Sequence, residues 1–388
     1  MRRGLSLTLL VVPALALAAF GVLMVASTTA RQATATFGDP RHFAVRQVIA
    51  TGIGGALAIA IVRVGPTRML RVAPLIFLAC LAAALAVFVP GVGVRAAGAR
   101  RWLHIGALSG SPAPFLTVAV GLILSAWGRA TGPADATSAG VGGEGEPSRL
   151  DALPRRTLAL AMAFVAVLAL VVEPDFSAAG VTLAVALVAL AGLGIRSRRL
   201  VPTAAALLLA LALVASQFHY VGGRLHGFLS PERDRRGKGF EVLALARATA
   251  TATSTGAGLG RGEARRRLSS PGSDYVFAIV TDEMGKTAAA GVVGAWLCLA
   301  GGAALSARGL GDRRLRAAAL SSGMAMLAPA ALHVAVCTGL CPIIGVTMPL
   351  LSYDPAATIA AGAEIGMIAS IVLHSPLPPP VGFAGAQG

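Results

Sequence analysis

Charged residues are scarce in this chain: Asp, Glu, Lys and Arg make up 13% of its 388 residues, whereas hydrophobic residues make up 56%. With a mean hydropathy of +0.76, this excludes an ordinary soluble domain, because so few charges cannot cover a water-facing surface. Cysteine is also sparse. Cys80, Cys298, Cys337 and Cys341 lie in apolar sequence, which excludes a scaffold built on disulfides. No Walker-type GxxxxGK(S/T) stretch occurs, and this argues against an ATP-driven pump. No internal repeat is evident, which weakens an inverted-repeat transporter.

Long apolar runs are what the chain has in abundance. About 17 to 25 apolar residues carry a helix across about 30 Å of hydrocarbon, where every backbone amide must bond within its own segment. Ten runs reach or approach this length, three of them (47–62, 113–126 and 157–172) marginally: 5–27, 47–62, 72–92, 113–126, 157–172, 178–195, 201–218, 287–306, 317–337 and 356–373. The predicted fold class is an all-α polytopic membrane protein with about ten transmembrane helices, a single domain over residues 1–373, and a disordered proline-rich tail at 374–388. Apolar sequence continues past Ala16-Leu17-Ala18 to Ala26, so the start reads as an uncleaved first span rather than a signal peptide.

The formal charge of +16 is distributed around the spans, not in a nucleic-acid-binding block. With the N-terminus in the cytoplasm, 16 basic residues fall in inner segments and six in short outer loops, while 11 lie in or at the end of one long outer segment. The positive-inside rule then gives an even number of spans with both termini cytoplasmic. Residues 129–156, rich in Gly, Ser, Pro and Ala, read as a flexible cytoplasmic linker. Residues 218–285 form the long external loop between the seventh and eighth spans. Ten basic side chains between Arg224 and Arg267 suit it to an anionic substrate at the membrane surface.

Ionisable residues at membrane depth are costly and mark function, so acids outside the cytoplasmic loops are candidates: Glu173, Asp175, Glu241, Asp274, Asp282, Glu283, Asp354 and Glu364. Asp274 sits where the long loop meets the returning helix, as either a reactive carboxylate or an N-cap for a helix beginning near Tyr275. Asp175 follows Glu173-Pro174 at a span end, where the alternative is a solvated turn. Gly256, Gly258 and Gly260 precede Arg261 and Arg265–Arg267. Glycines let amides approach an anion, so this is either a pyrophosphate nest or a plain flexible turn. His333, Cys337 and Cys341 share a helical face at i, i+4 and i+8, but a fourth ligand is lacking and no metal is assigned.

Five separated segments, in order, resemble the SEDS family (shape, elongation, division and sporulation proteins). FGVLMVASTTA with FGDPRHFAVRQ, ending at Arg46-Gln47, is similar to the first span and the entry to the second. EPDFSAAGVTL at 173–183 resembles a Pro-Asp-x-Gly-Thr signature, and GAGLGRG a glycine-rich external turn. SDYVFAIVTDEMG and TGLCPIIGVTMPLLSY resemble two further elements, and Arg101-Trp102 also fits. The chain departs from the family pattern at Pro114 and Thr117, where a Glu and a Lys are usual, at Gly272 in place of His, at Phe240-Glu241 in place of Tyr-Gln, and at Asp354-Pro355-Ala356 in place of Gly-Gly-Ser.

The resemblance implies an inverting peptidoglycan glycosyltransferase of the bacterial cytoplasmic membrane. Its substrate would be lipid II, the undecaprenyl pyrophosphate-linked disaccharide-peptide, and its partner a class B penicillin-binding protein transpeptidase; membrane lipids, and no nucleic acid, would surround it. Asp274 would be the catalytic base. Arg101, Asp175, Gly256, Gly258, Gly260, Arg261, Glu241 and Ser352 would bind substrate. No cofactor is assigned, and a divalent cation stays open beside guanidinium groups and backbone amides as counter-charge for the departing pyrophosphate. Two other readings stay open: a catalytically impaired homologue serving as a division or cell-shape scaffold, and a lipid-precursor flippase.

Overall fold

The structure, a computed structural model, describes residues 2–96, 99–105, 108–127, 149–234 and 237–375. Most of the expected linker at 129–156 and nearly all of the expected tail at 374–388 lie outside these residues. Thirteen helices are described: α1 (Arg2–Phe37), α2 (His42–Val64), α3 (Pro66–Ala86), α4 (Ala113–Ala126), α5 (Arg149–Val172), α6 (Phe176–Gly192), α7 (Ser197–Ser216), α8 (His219–Leu229), α9 (Lys238–Thr251), α10 (Ala264–Arg267), α11 (Val276–Ala307), α12 (Arg313–Cys337) and α13 (Pro355–His374). Seven are long and apolar enough to cross a membrane, and three shorter apolar helices, at Ala113–Ala126, Thr157–Val172 and Phe176–Gly192, correspond to the remaining predicted runs.

Local sequence explains where several helices begin. Asp175, Asp312 and Asp354 each accept a hydrogen bond from a first-turn amide, of Ala178, Arg314 and Ala357 respectively. These caps satisfy donors that a helix leaves orphaned. At α13 the cap is followed by Pro355, whose missing N–H costs nothing in the first turn.

Small residues set the packing. A Cβ on Gly362 would lie 2.3 Å from the carbonyl oxygen of Gly54, and one on Gly366 would lie 2.6 Å from Cα of Ala58. Helices α2 and α13 therefore meet backbone to backbone, as small residues allow where the hydrophobic effect cannot drive helices together. Large apolar side chains such as Leu15, Leu75, Val201 and Leu209 point outward, and α7 buries no residue. That surface suits hydrocarbon rather than water.

Two segments differ from the sequence expectation. Between α3 and α4 the chain forms an antiparallel sheet of β1 (Gly93–Ala96), β2 (Ala99–Ile105) and β3 (Leu108–Gly110), with Val94 opposite Trp102 and His104 opposite Ser109. Residues 218–285 are not one loop. They hold α8, α9, α10 and the beginning of α11, which starts at Val276 rather than near 287.

The early start of α11 is made possible by a break at Gly285, where φ is +85°. Residues 253–258 run alongside the break and satisfy its backbone. Ala257 N–H donates to Asp282 O at 2.9 Å, Gly258 N–H to Glu283 O at 2.8 Å, and Lys286 N–H to Thr253 O at 3.0 Å. A broken helix needs such partners when water is excluded.

Candidate active site

A cavity of about 430 Å³ opens among β2, α4, α6, α8, the strap before α11, the segment 344–354, α12 and α13. Its acidic and basic lining consists of Asp274, Arg101, Arg224, Asp175, Asp354 and Glu364, with the phenol of Tyr353 beside them. The sequence candidates Asp274, Arg101 and Asp175 are thus brought together around one space.

Asp274 is held by its neighbours. The Ser352 hydroxyl donates to Ser273 O at 2.7 Å and accepts from Met348 N–H at 2.9 Å. Tyr353 N–H donates to Gly272 O at 2.8 Å. Gln47, fully buried, braces this stitch by donating to Ser352 O at 3.3 Å and to the Thr358 hydroxyl at 3.0 Å. On the other side, Tyr275 donates through its hydroxyl to Glu241 at 3.1 Å; Lys238 and Ser269 donate to the same carboxylate.

His333 joins the same scaffold. Its Nε2 accepts from Phe277 N–H at 3.3 Å and its Nδ1 faces Val346 O at 2.7 Å. Those partners fit a neutral imidazole protonated on Nδ1, and they leave neither nitrogen for a metal. Among the described residues, no group of three or more His, Cys, Asp or Glu side chains is arranged to hold a metal ion.

The cavity acids have different duties. Asp175 accepts from Ser177 and from Ala178 N–H, and Asp354 accepts from Thr347 and from Ala357 N–H, so both are committed to helix starts. Asp274 is not so committed. The N-cap position of α11 belongs to Tyr275, with no side-chain cap bond, so the capping role weighed for Asp274 is not the one it takes. Burial raises its carboxyl above the ordinary aspartate value, a hydrogen bond from Ser273 and the charge of Arg224 oppose this, and the charges of Asp354 and Glu241 add to it. Burial would also raise Glu241, but its bonds from Lys238, Ser269 and Tyr275 hold it below the usual range.

Arg101 and Arg224 converge on one aromatic ring. Arg101 donates to Pro174 O and to the Tyr220 hydroxyl, which itself donates to Pro174 O at 2.7 Å. The two guanidinium carbons lie 6.0 Å and 5.3 Å from the Tyr220 ring centre. Two cations gathered at one ring beside the cavity suit an anion with several oxygens. Nearby, Glu173 is wholly buried and both its carboxyl oxygens lack a hydrogen-bond partner. Burial pushes it up to about 8, with Asp175 adding to the shift and Arg101 opposing it.

Other predicted site residues lie elsewhere. Gly256, Gly258, Gly260 and Arg261 are not part of the cavity wall. The amide of Gly258 bonds Glu283 O, and that of Gly260 bonds the Glu283 carboxylate at 2.8 Å, so these donors face the chain's own acid in place of a phosphate. Glu241 and Ser352 are buried braces outside the wall. Conversely, Tyr220 carried no signal in the sequence, and Glu364 was visible only as an acid inside an apolar run.

The family model for FtsW, RodA and SpoVE, described as "Cell cycle protein", matches residues 7–376. The chain is 26% identical over 361 residues to "Probable peptidoglycan glycosyltransferase FtsW" of Legionella pneumophila, covering 90% of this chain and 86% of that protein. It is 27% identical over 376 residues to "Stage V sporulation protein E" of Bacillus subtilis, covering 95% and 97%. Among solved structures, RodA of Thermus thermophilus has the same fold, with a TM-score of 0.64 at 20% identity over 94% of this chain and 95% of that one. A chain from a structure titled for polymerization and crosslinking by a peptidoglycan synthase complex matches at a TM-score of 0.70 and 22% identity, over 94% and 96%. The match to the family model runs through nearly every described element, from α1 to the end of α13, and the chain belongs to the FtsW/RodA/SpoVE family of cell cycle proteins.

Proposed function

We propose that the chain is a peptidoglycan glycosyltransferase that polymerises lipid II into glycan strands, with Asp274 as the general base. One observation carries this reading: Asp274 lines the cavity, is braced from both sides, and is not spent on capping a helix. The ionised carboxylate takes the proton of an acceptor sugar hydroxyl held within about 2.6–3.2 Å. The hydroxyl oxygen bonds to the donor anomeric carbon as the bond from that carbon to the pyrophosphate oxygen breaks, with inversion. Undecaprenyl pyrophosphate leaves with the electron pair, and Arg101 and Arg224 offset its charge. The upward shift of Asp274 serves this role, because a base works best when its pKa approaches the working pH.

In this reading the Asp274 end of the bundle faces outward from the bacterial cytoplasmic membrane and both termini face the cytoplasm, in keeping with the distribution of basic residues. A class B penicillin-binding protein transpeptidase is the partner. The relative solved within a peptidoglycan synthase complex supports that assignment.

A second reading, a scaffold without catalysis, is favoured by Pro114 and Thr117, which line the cavity where relatives are expected to carry an acid and a base. Purified protein incubated with lipid II, with and without the transpeptidase, separates the two. Glycan polymer made by the chain supports the enzyme; no polymer in either mixture, with transpeptidase binding intact, supports the scaffold.

A further inference from the structure

Below Asp354 the cavity follows one face of α13, past Ala357, Ala360 and Ala361 to Glu364. Glu364 lies nine residues beyond Pro355, and nine residues of helix span about 14 Å. Glu364 is 4% exposed and lines the cavity. No hydrogen bond or ion pair from any described residue reaches its carboxyl. The cavity's cations, Arg101 and Arg224, are held near Tyr220.

Two residues that line the same cavity carry neutral oxygens. Pro329 sits inside α12 and has no N–H, so the Ala325 carbonyl one turn earlier loses its helical partner. Ala325 and Pro329 both line the cavity. From α4 comes the Thr117 hydroxyl, which bonds Ala113 O and Thr182 Oγ1 and keeps acceptor capacity. A carboxylate, a freed helix carbonyl and a hydroxyl are the oxygen set that binds small alkali cations within membranes. A single carboxylate cancels a single positive charge. A divalent ion would leave a net charge in a medium of low dielectric, where uncompensated charge is costly.

We propose that Glu364, with the Ala325 carbonyl and the Thr117 hydroxyl, forms a site for a monovalent cation of sodium size. The ion takes the place of the carboxyl proton, which leaves through the cavity. The site is independent of the polymerase reading and needs no lipid-linked substrate.

A hydrophobic carbodiimide, which modifies protonated carboxyls, tests this on the full chain in detergent at fixed pH, with NaCl replacing choline chloride at constant ionic strength. Mass spectrometry should find the adduct on Glu364 in choline, forming about tenfold more slowly once sodium is about ten times its dissociation constant. Glu364→Gln should carry no adduct at that position. Sodium should also raise the melting temperature of the wild type and not that of Glu364→Gln. An adduct whose rate is the same in sodium, potassium and choline overturns the proposal, as does no adduct in any of them. Either result leaves the polymerase assay unaffected.

Discussion

The hydroxyl of Ser352 donates a 2.7 Å hydrogen bond to the carbonyl oxygen of Ser273, the residue before Asp274. Through this bond the segment before α13 fixes the strap that carries the Asp274 carboxylate, the base proposed above. Ser352→Ala leaves both Ser273 O and Met348 N–H without this partner, and buried unsatisfied groups cost about 1–3 kcal/mol each. A lower melting temperature in detergent and slower polymerisation are expected together, measured on the same preparation.

The pH profile of polymerisation should report Asp274. The base must be ionised, so its rate falls as pH drops through a pKa raised above the ordinary 3.8. Asp354→Asn, which retains a capping oxygen, removes one raising charge and should move the acid limb to lower pH. Arg224→Gln removes a lowering charge and should move it higher. For stability the sign is the opposite of an ion-paired aspartate. The neutral carboxyl suits the fold, so its contribution is complete below 3.8 and is lost as pH rises through the folded value.

Glu173 gives a separable titration. Its carboxyl is raised from 4.5 to about 8, first by burial. The folded state therefore holds the proton more tightly, and stability should decline as pH rises from about 4.5 through about 8. Glu173→Gln should flatten that decline in thermal melts taken across the range.

The break in α11 depends on glycine. At Gly285 φ is +85°, and a Cβ would lie 2.2 Å from Ser254 O. Gly285→Ala should cost at least about 1–3 kcal/mol from the backbone conformation alone. The clasp of residues 253–258 should loosen, seen as faster hydrogen exchange at the Ala257 and Gly258 amides.

The spans were legible in the sequence because lipid requires long uninterrupted apolar runs, and Asp274 because its surrounding motif resembles a known family. The small sheet was not legible: strands of three to seven residues between spans carry too little pattern to outweigh a loop. The glycine-rich turn misled because its partners, Asp282 and Glu283, lie some 20 residues downstream and only folding brings them to its amides. Glu241 and Ser352 read as substrate contacts because sequence reports polarity without burial. Glu364 stood out as an acid in an apolar run, yet its cavity is assembled from several helices that no local pattern connects.

The central claim is that Asp274 removes the acceptor proton. The most direct measurement is the single-turnover rate of glycan polymerisation by purified Asp274→Asn, a near-isosteric variant that keeps the strap intact, compared with wild type on lipid II. Loss of general-base assistance predicts a fall of about 10²–10⁴-fold with an unchanged melting temperature. A rate equal to wild type would contradict the account.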